Sequence, residues 1–310
     1  MLNLNRIGRR AWLYLFLVLA AIYAADYSLH QVGKLEKSLG FYPIFVVAVI
    51  GAQLLFWIVY SVLWARLIAQ MSNAELTVWE SFRQHNLLTL GKYLPGKIWG
   101  MVARGASLAE KGLTIGEVVV LTCTEQTLVL HSAIVVSALL FVGLHPSLLS
   151  WSLAIVAVLT LGFGSQLLKI AYRVYRHVSS SNPAVSVTEK ARPLSATTYL
   201  SFALGHSAGW IVNGFLFASI YCTFFSAASP SFQLLGVLLL ANTVGVTLGF
   251  LAVFAPGGIG VREAMTSAML ATAMPLDEAV MLAVLFRLWL LLTDIFVGGF
   301  VVLSGTTRLR

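Results

Sequence analysis

Seven long runs of mostly apolar residues constrain the fold of this chain more than any other feature. They lie at residues 11–27, 41–65, 117–144, 148–170, 199–225, 232–254 and 279–303. A helix of about 20 apolar residues crosses the hydrocarbon layer of a membrane. Only 10% of the residues are charged, whereas a soluble domain has about 25%. The sequence predicts an all-α integral membrane protein, a single polytopic domain over residues 1–310 with about six to eight transmembrane segments.

The basic residues lie mainly in the short segments between these runs, and they predict the orientation of the chain. Arginine and lysine accumulate on the cytoplasmic side of membrane proteins. This rule assigns to the cytoplasm Arg6, Arg9, Arg10, Arg66, Arg83, Lys169, Arg173, Arg176, Lys190, Arg192, Arg308 and Arg310. Both termini are then cytoplasmic, and run 11–27, which no small-residue cleavage site follows, is expected to be a retained helix. The net charge of +8 is explained by this orientation, without a nucleic-acid partner.

Two stretches break the apolar pattern with proline and glycine. Residues 94–100 read LPGKIWG, and residues 255–260 read APGGIG. A single crossing at the first stretch would place the basic loop 173–198 outside, and a single crossing at the second would place the charged C-terminus outside. Both are therefore predicted to be re-entrant elements that enter and leave the membrane on the same side. A full crossing by run 232–254, which is long enough to span, is the alternative.

The two broken elements resemble each other, and three predicted spanning helices separate them. Glu125 lies 30 residues after Pro95, and Arg287 lies 31 residues after Pro256. An odd number of crossings turns the second copy upside down, so the spacing predicts an inverted repeat. The predicted units are 84–170 for the first repeat, 232–305 for the second, and 11–27 and 41–65 for two peripheral helices.

The broken elements also predict a binding site. Broken helices are tolerated in a membrane where the freed backbone groups face protein or a polar cavity, and helix N-termini attract anions such as phosphate. Glu125 and Arg287 lie roughly 12–14 Å deep in their helices, so the two charges are expected to meet, as a structural ion pair or as part of a substrate site. The candidate substrate-binding residues are Pro95, Gly96, Lys97, Arg104, Glu125, Pro256, Gly257, Gly258, Arg262, Glu263, Arg287 and Asp294.

Motifs for other chemistry appear in an unsuitable context. Residues 205–209, GHSAG, match the nucleophile elbow of serine hydrolases, but they lie inside an apolar run rather than between a strand and a helix. Their two glycines favour close helix packing, and Gly245 and Gly249 repeat the same spacing. His131 and His206 have no second ligand three or four residues further on. The sequence therefore predicts no metal and no cofactor.

The strings LPGKIWGMVAR and APGGIGVREA resemble the flippase-like family of the lysylphosphatidylglycerol synthase transmembrane domain, over roughly residues 10–305. The resemblance implies a protein of the cytoplasmic (inner) membrane of a bacterium or archaeon, with a membrane lipid as ligand and envelope-synthesis proteins as partners. The lysine-adding soluble domain does not occur in this sequence, so synthesis of an aminoacyl lipid is not expected. Gln126 stands where the family pattern has arginine, which leaves the first repeat short of one cation.

Two classes of function follow from these observations. The first is a lipid translocator without enzymatic activity, which moves a phosphate-bearing lipid between leaflets. Its substrate would be a glycerophospholipid or a polyprenyl-phosphate-linked glycan. The second is a membrane-embedded transferase or an accessory subunit of envelope lipid or glycan assembly. Such a transferase needs a carboxylate base, for which Glu263 and Glu117 are the candidates.

Overall fold

The structure, a computed structural model, describes residues 41–91, 99–179, 193–225, 230–252 and 255–306. The helix predicted at 11–27 lies outside these residues, and so does the centre of the first broken element with Pro95, Gly96 and Lys97. Nine α-helices and one 3₁₀ turn form the described part, in which no strand occurs. The elements are α1 (Ile44–Met71), α2 (Val78–Gly91), α3 (Trp99–Ala109), α4 (Ile115–Leu144), α5 (Leu148–Ser179), α6 (Ala196–Phe224), α7 (Phe232–Leu251), the 3₁₀ turn (Pro256–Gly258), α8 (Val261–Leu270) and α9 (Leu276–Thr306).

Six of these helices, α1, α4, α5, α6, α7 and α9, are long and apolar enough to cross a membrane. The other three, α2, α3 and α8, have 14, 11 and 10 residues and reach about 21 Å at most, which is too short for a crossing. The prediction of an all-α integral membrane protein is confirmed, and the chain is a multi-pass membrane protein.

Local sequence signals set where several helices begin. Thr114 accepts a hydrogen bond from the backbone of Glu117, whose side chain in turn accepts one from Thr114, and this capping box begins α4. The Ser195 and Ser231 side chains accept backbone hydrogen bonds at the starts of α6 and α7. Such caps satisfy N–H groups that have no partner inside the helix.

Each broken element is an antiparallel pair of helices. In the first, Gly100 of α3 lies against the backbone of Leu88 in α2. In the second, Gly245 and Gly249 of α7 lie against Thr266 and Arg262 of α8, so residue numbers rise along one helix as they fall along the other. In the described residues α3 and α8 are too short to cross and run back along α2 and α7, which agrees with re-entrant elements, while α7 with 20 residues is long enough to span by itself. Close packing at Gly245 and Gly249 is confirmed.

The second unit runs opposite to the first. Gly236, near the start of α7, packs against Leu144 at the end of α4, and Val246 packs near Val136, so α7 and α4 are antiparallel. Because α8 reverses α7 and α9 reverses α8, α9 also runs opposite to α4. These helix directions agree with an inverted repeat. The boundaries 84–170 and 232–305 stay predictions.

The two units hold each other through reciprocal contacts. Helix α2 of the first unit packs on α9 of the second, where Leu90 lies against Gly298. Helix α7 of the second unit packs on α4 of the first. The hairpin of each unit therefore contacts the long helix of the other, and a movement of one unit must displace both contacts.

Helix α6 lies between two hydrophobic clusters. Phe202 belongs to a cluster with Trp64 of α1, whereas Phe217 belongs to a second cluster with Phe286 of α9. Gly205 and Gly209 bring α6 close to α1, since a Cβ at either position would collide with a side chain of that helix. The sequence prediction of close packing at residues 205–209 is confirmed, and Ser207 lies within an uninterrupted helix.

Candidate functional site

A buried ion pair joins the two helices of the first unit that follow its break. Arg104 of α3 and Glu125 of α4 form two hydrogen bonds, of 2.5 Å from Nη1 to Oε2 and 3.4 Å from Nη2 to Oε1. The side chains are 0% and 4% exposed. Both charges are therefore sealed inside the protein, where removing one partner would leave the other without compensation.

Further contacts fix the Arg104 guanidinium in place. Its central carbon lies 3.7 Å from the centroid of the Trp64 ring of α1. The Trp64 indole donates to Gln84 Oε1 (2.8 Å), and Gln84 Nε2 donates to Ser107 Oγ (3.2 Å). Arg104 of α3 thus contacts α1 through Trp64 and α4 through Glu125, and Gln84 of α2 joins Trp64 to Ser107 of α3, so these contacts hold the first hairpin against its neighbours.

A second ion pair lies in the other unit, and its polarity is reversed. The acid, Glu263, is on the short helix α8, and the base, Arg287, is on the long helix α9. Arg287 Nε lies 3.5 Å from Glu263 Oε1, and the side chains are 12% and 18% exposed. The second pair is longer and more accessible than the first pair.

Arg287 and Glu263 also hold the turn between α7 and α8. Arg287 Nη2 donates to the carbonyl oxygen of Gly257 (2.9 Å). Glu263 Oε2 accepts from the backbone N–H of Gly260 (2.6 Å), which closes the N-terminus of α8. Gly257, Gly258 and Gly260 have φ of 59°, 73° and 86°, a region that residues with a Cβ rarely enter. The backbone of this turn therefore requires glycine at these three positions of the second broken element.

The structure changes the role expected for Gly258. The N-terminus of the helix that follows the second break is predicted to offer its N–H groups to an anion, but this helix, α8, begins at Val261, three residues after Gly258. The Gly258 N–H donates to Ala255 O (2.9 Å), and the carboxylate of Glu263 already binds at the start of α8. A Cβ at Gly258 would lie 2.7 Å from Gly249 O, so this glycine also permits close contact with α7.

The expectation that Glu125 and Arg287 meet is wrong. The first pairs with Arg104 and the second with Glu263, because each short helix runs antiparallel to the long helix that follows it and places its own charge opposite. The sequence contained a signal for this pairing: each short helix carries a charge opposite in sign to that of the next long helix. No sequence pattern indicated that Trp64 would stack on Arg104 or that Gln84 would bind Trp64.

The remaining predicted residues lie near the second break or deeper in α9. The guanidinium of Arg262 lies 5.2 Å from the Phe286 ring. The backbone of Pro256 opens the 3₁₀ turn. Asp294 is 6% exposed, two helical turns beyond Arg287. The structure thus brings Gly257 and Glu263 to Arg287 and pairs Arg104 with Glu125.

The candidate base Glu117 has a structural partner. Its carboxylate accepts from the Thr114 N–H (2.8 Å) in the capping box of α4, and the residue is 6% exposed. Among the described residues no group of three or more histidine, cysteine, aspartate or glutamate side chains is placed to hold a metal ion.

The family described as the lysylphosphatidylglycerol synthase TM region matches residues 11–298, nearly the whole chain. A search of curated proteins found no match. The family match confirms the resemblance inferred from the two proline-glycine strings.

Proposed function

Because the chain belongs to the family of the lysylphosphatidylglycerol synthase transmembrane region, a family of membrane proteins tied to lipid metabolism, we propose that it is a lipid translocator. It moves a phosphate-bearing lipid, such as a glycerophospholipid or a polyprenyl-phosphate-linked glycan, between the leaflets without a chemical step. The observation that carries this proposal is the partly buried Glu263–Arg287 pair at a glycine-rich break inside a membrane protein.

The depth of Arg287 supports this role. It is the twelfth residue of the 31-residue α9, so it lies roughly 17 Å from the start of that helix, near the middle of a bilayer. A charge at that depth costs at least about 2.5 kcal/mol, and charges retained in this position commonly serve a substrate or ion pathway. A guanidinium suits a phosphate, which it binds with parallel hydrogen bonds.

An apolar groove supports the same function. It has a volume of about 360 Å³, lies between α1, α2 and α9, and is lined by side chains such as Trp57, Trp79, Phe82 and Phe300. Such a surface suits an acyl or prenyl chain. We therefore assign the headgroup to the polar break and the tail to the bilayer and its groove.

The reciprocal packing of the two units suggests how the site changes sides. Transporters built from inverted repeats expose a midplane site alternately by rocking one repeat against the other. Here α2 rests on α9 and α7 rests on α4, so a rocking motion of either unit moves both hairpins. The distribution of lysine and arginine supports a cytoplasmic-membrane location with both termini in the cytoplasm, and envelope-synthesis proteins are the proposed partners.

A lipid-movement assay tests the proposal. The protein is reconstituted with a fluorescent phosphatidylglycerol, and a membrane-impermeant reductant then measures how fast the reporter changes leaflet. We expect the wild type to accelerate this movement and Arg287→Gln to lose most of the acceleration. Arg173→Gln, which removes an exposed arginine at the end of α5, is the matched control and should move lipid at the wild-type rate.

Two results would count against a translocator. One is a wild-type rate equal to that of protein-free vesicles for every phosphate-bearing lipid tried. The other is equal acceleration of a phosphate-free glycolipid with the same reporter, since that would show a disturbed bilayer rather than recognition of phosphate.

A further inference from the structure

We propose that Glu263 is a built-in competitor for the lipid headgroup. Its carboxylate occupies Arg287 and the start of α8, and the phosphate of the lipid binds by displacing it. This inference rests on the proposed function, and it adds a mechanism that prevents the headgroup from binding too tightly to be released.

The first step of the argument is what the carboxylate occupies. Glu263 Oε2 accepts from the Gly260 N–H (2.6 Å), and Oε1 lies 3.5 Å from Arg287 Nε. A backbone N–H at a helix start and a guanidinium are the donors that phosphate oxygens also use. A headgroup phosphate that takes the Gly260 N–H and the Nε side of Arg287 therefore has to displace the carboxylate from them.

The second step is the contrast with the other ion pair. Arg104 and Glu125 approach to 2.5 Å and are 0% and 4% exposed, and Trp64 covers the guanidinium. The distance between Arg287 and Glu263 exceeds the roughly 2.7–2.9 Å of a strong charge-assisted hydrogen bond, and both side chains are partly accessible. The second pair is therefore longer and less buried than the first, and Glu263 Oε1, although itself buried, accepts no hydrogen bond from the described residues that would hold it on Arg287.

The third step is that Arg287 keeps its position during the exchange. A guanidinium has five N–H donors, and Nη2 uses one of them on Gly257 O (2.9 Å). This bond ties Arg287 to the turn independently of Glu263. The carboxylate can leave and return while the arginine stays at the break, which is what a competitor requires.

The competitor role predicts that removing the charge of Glu263 strengthens lipid binding instead of weakening it. Glu263→Gln keeps the size of the side chain and removes its charge, so phosphate no longer has to displace an anion. We expect phosphatidylglycerol to bind about tenfold more tightly, the order expected for one charge-assisted contact. Lipid movement should become slower, because release from Arg287 becomes the slow step. A residue that only supports the fold would weaken binding when substituted.

The experiment titrates the full chain in uncharged detergent with phosphatidylglycerol, diacylglycerol or inorganic phosphate and measures binding by thermophoresis. Wild type and three variants, Glu263→Gln, Arg287→Gln and Glu80→Gln, are compared. Glu80 is the matched control, because it also caps a helix, α2, and pairs with a cation, Lys111 (2.7 Å), away from the break. We expect tighter phosphatidylglycerol binding for Glu263→Gln, loss of binding for Arg287→Gln and wild-type affinity for Glu80→Gln.

Three outcomes would overturn the competitor role. They are unchanged or weaker phosphatidylglycerol binding by Glu263→Gln, equal tightening by Glu80→Gln, and equal tightening for diacylglycerol. A response to inorganic phosphate that the lipid does not reproduce would overturn the headgroup assignment in favour of a soluble anion. If Glu263→Gln does not fold, Glu263→Asp, whose shorter side chain withdraws the carboxylate from Arg287, must show tighter binding.

The assay separates this proposal from the translocator function. Tighter binding by Glu263→Gln together with no lipid movement by the wild type would retain the competitor and remove transport. Lipid movement by the wild type with unchanged binding by Glu263→Gln would retain transport and remove the competitor.

Discussion

Glu125→Gln should destabilise the protein strongly, because it breaks the sealed ion pair. The glutamine leaves the guanidinium of Arg104, which is 0% exposed, without a negative partner. Breaking a buried pair from one side typically costs about 3–5 kcal/mol. Two hydrogen bonds to the carboxylate are also weakened. Since both side chains are buried, water gives no compensation, and we expect a loss of about 3 kcal/mol or more in the free energy of unfolding.

The double variant Arg104→Gln/Glu125→Gln isolates the interaction between the two charges. It removes the stranded charge, so its loss of stability should be smaller than the sum of the two single losses by about 1–3 kcal/mol. The stacking of Arg104 on Trp64 is lost as well, so recovery should be incomplete. Unfolding of the four proteins in mixed micelles with increasing sodium dodecyl sulfate measures these differences. Additive losses would refute the view that this pair holds the first hairpin.

Three further predictions follow from the second break and from the surface. Arg287→Gln should stop lipid movement and lower the melting temperature less than Glu125→Gln does, because the Glu263–Arg287 pair is longer and less buried than the first pair; a larger drop than that of Glu125→Gln would contradict this. Gly258→Ala should destabilise more than Gly260→Ala in the same thermal assay, since both have positive φ but only a Cβ at Gly258 meets the backbone of α7. The Lys111 ammonium and the Thr77 N–H lower the pKa of Glu80 to about 2. Because this pKa is lower in the folded than in the unfolded protein, the ionised carboxylate stabilises the fold above pH 4.5, and the stabilisation is lost as the pH falls from about 4.5 to 2. The loss should be at most about 1 kcal/mol, because the pair is exposed. A Glu80→Gln variant should lack this loss in its profile of melting temperature against pH.

Local sequence was sufficient to predict the six described helices that are long enough to cross a membrane and the glycine-rich turn of the second break. Apolar length decides whether a helix can cross a bilayer, and a run such as 148–170 contains that information within itself. Proline and glycine interrupt a helix through their own backbone properties, so the turn at Gly257 and Gly258 was readable as well. Close helix packing at Gly205 and Gly209 was also predictable from local sequence, since two small residues four positions apart lie on one helix face.

Only the tertiary structure decided which charges meet. Glu125 and Arg287 were expected to pair because both lie deep in their helices, but depth does not specify direction or rotation about the helix axis. The antiparallel return of α3 and α8 places Arg104 and Glu263 opposite them instead. The covering of Arg104 by Trp64, and the accessibility that distinguishes the Glu263–Arg287 pair, arise from packing between helices far apart in sequence. Sequence determines what each segment can do in a membrane because that depends on neighbouring residues, whereas the pairing of charges depends on how the segments pack.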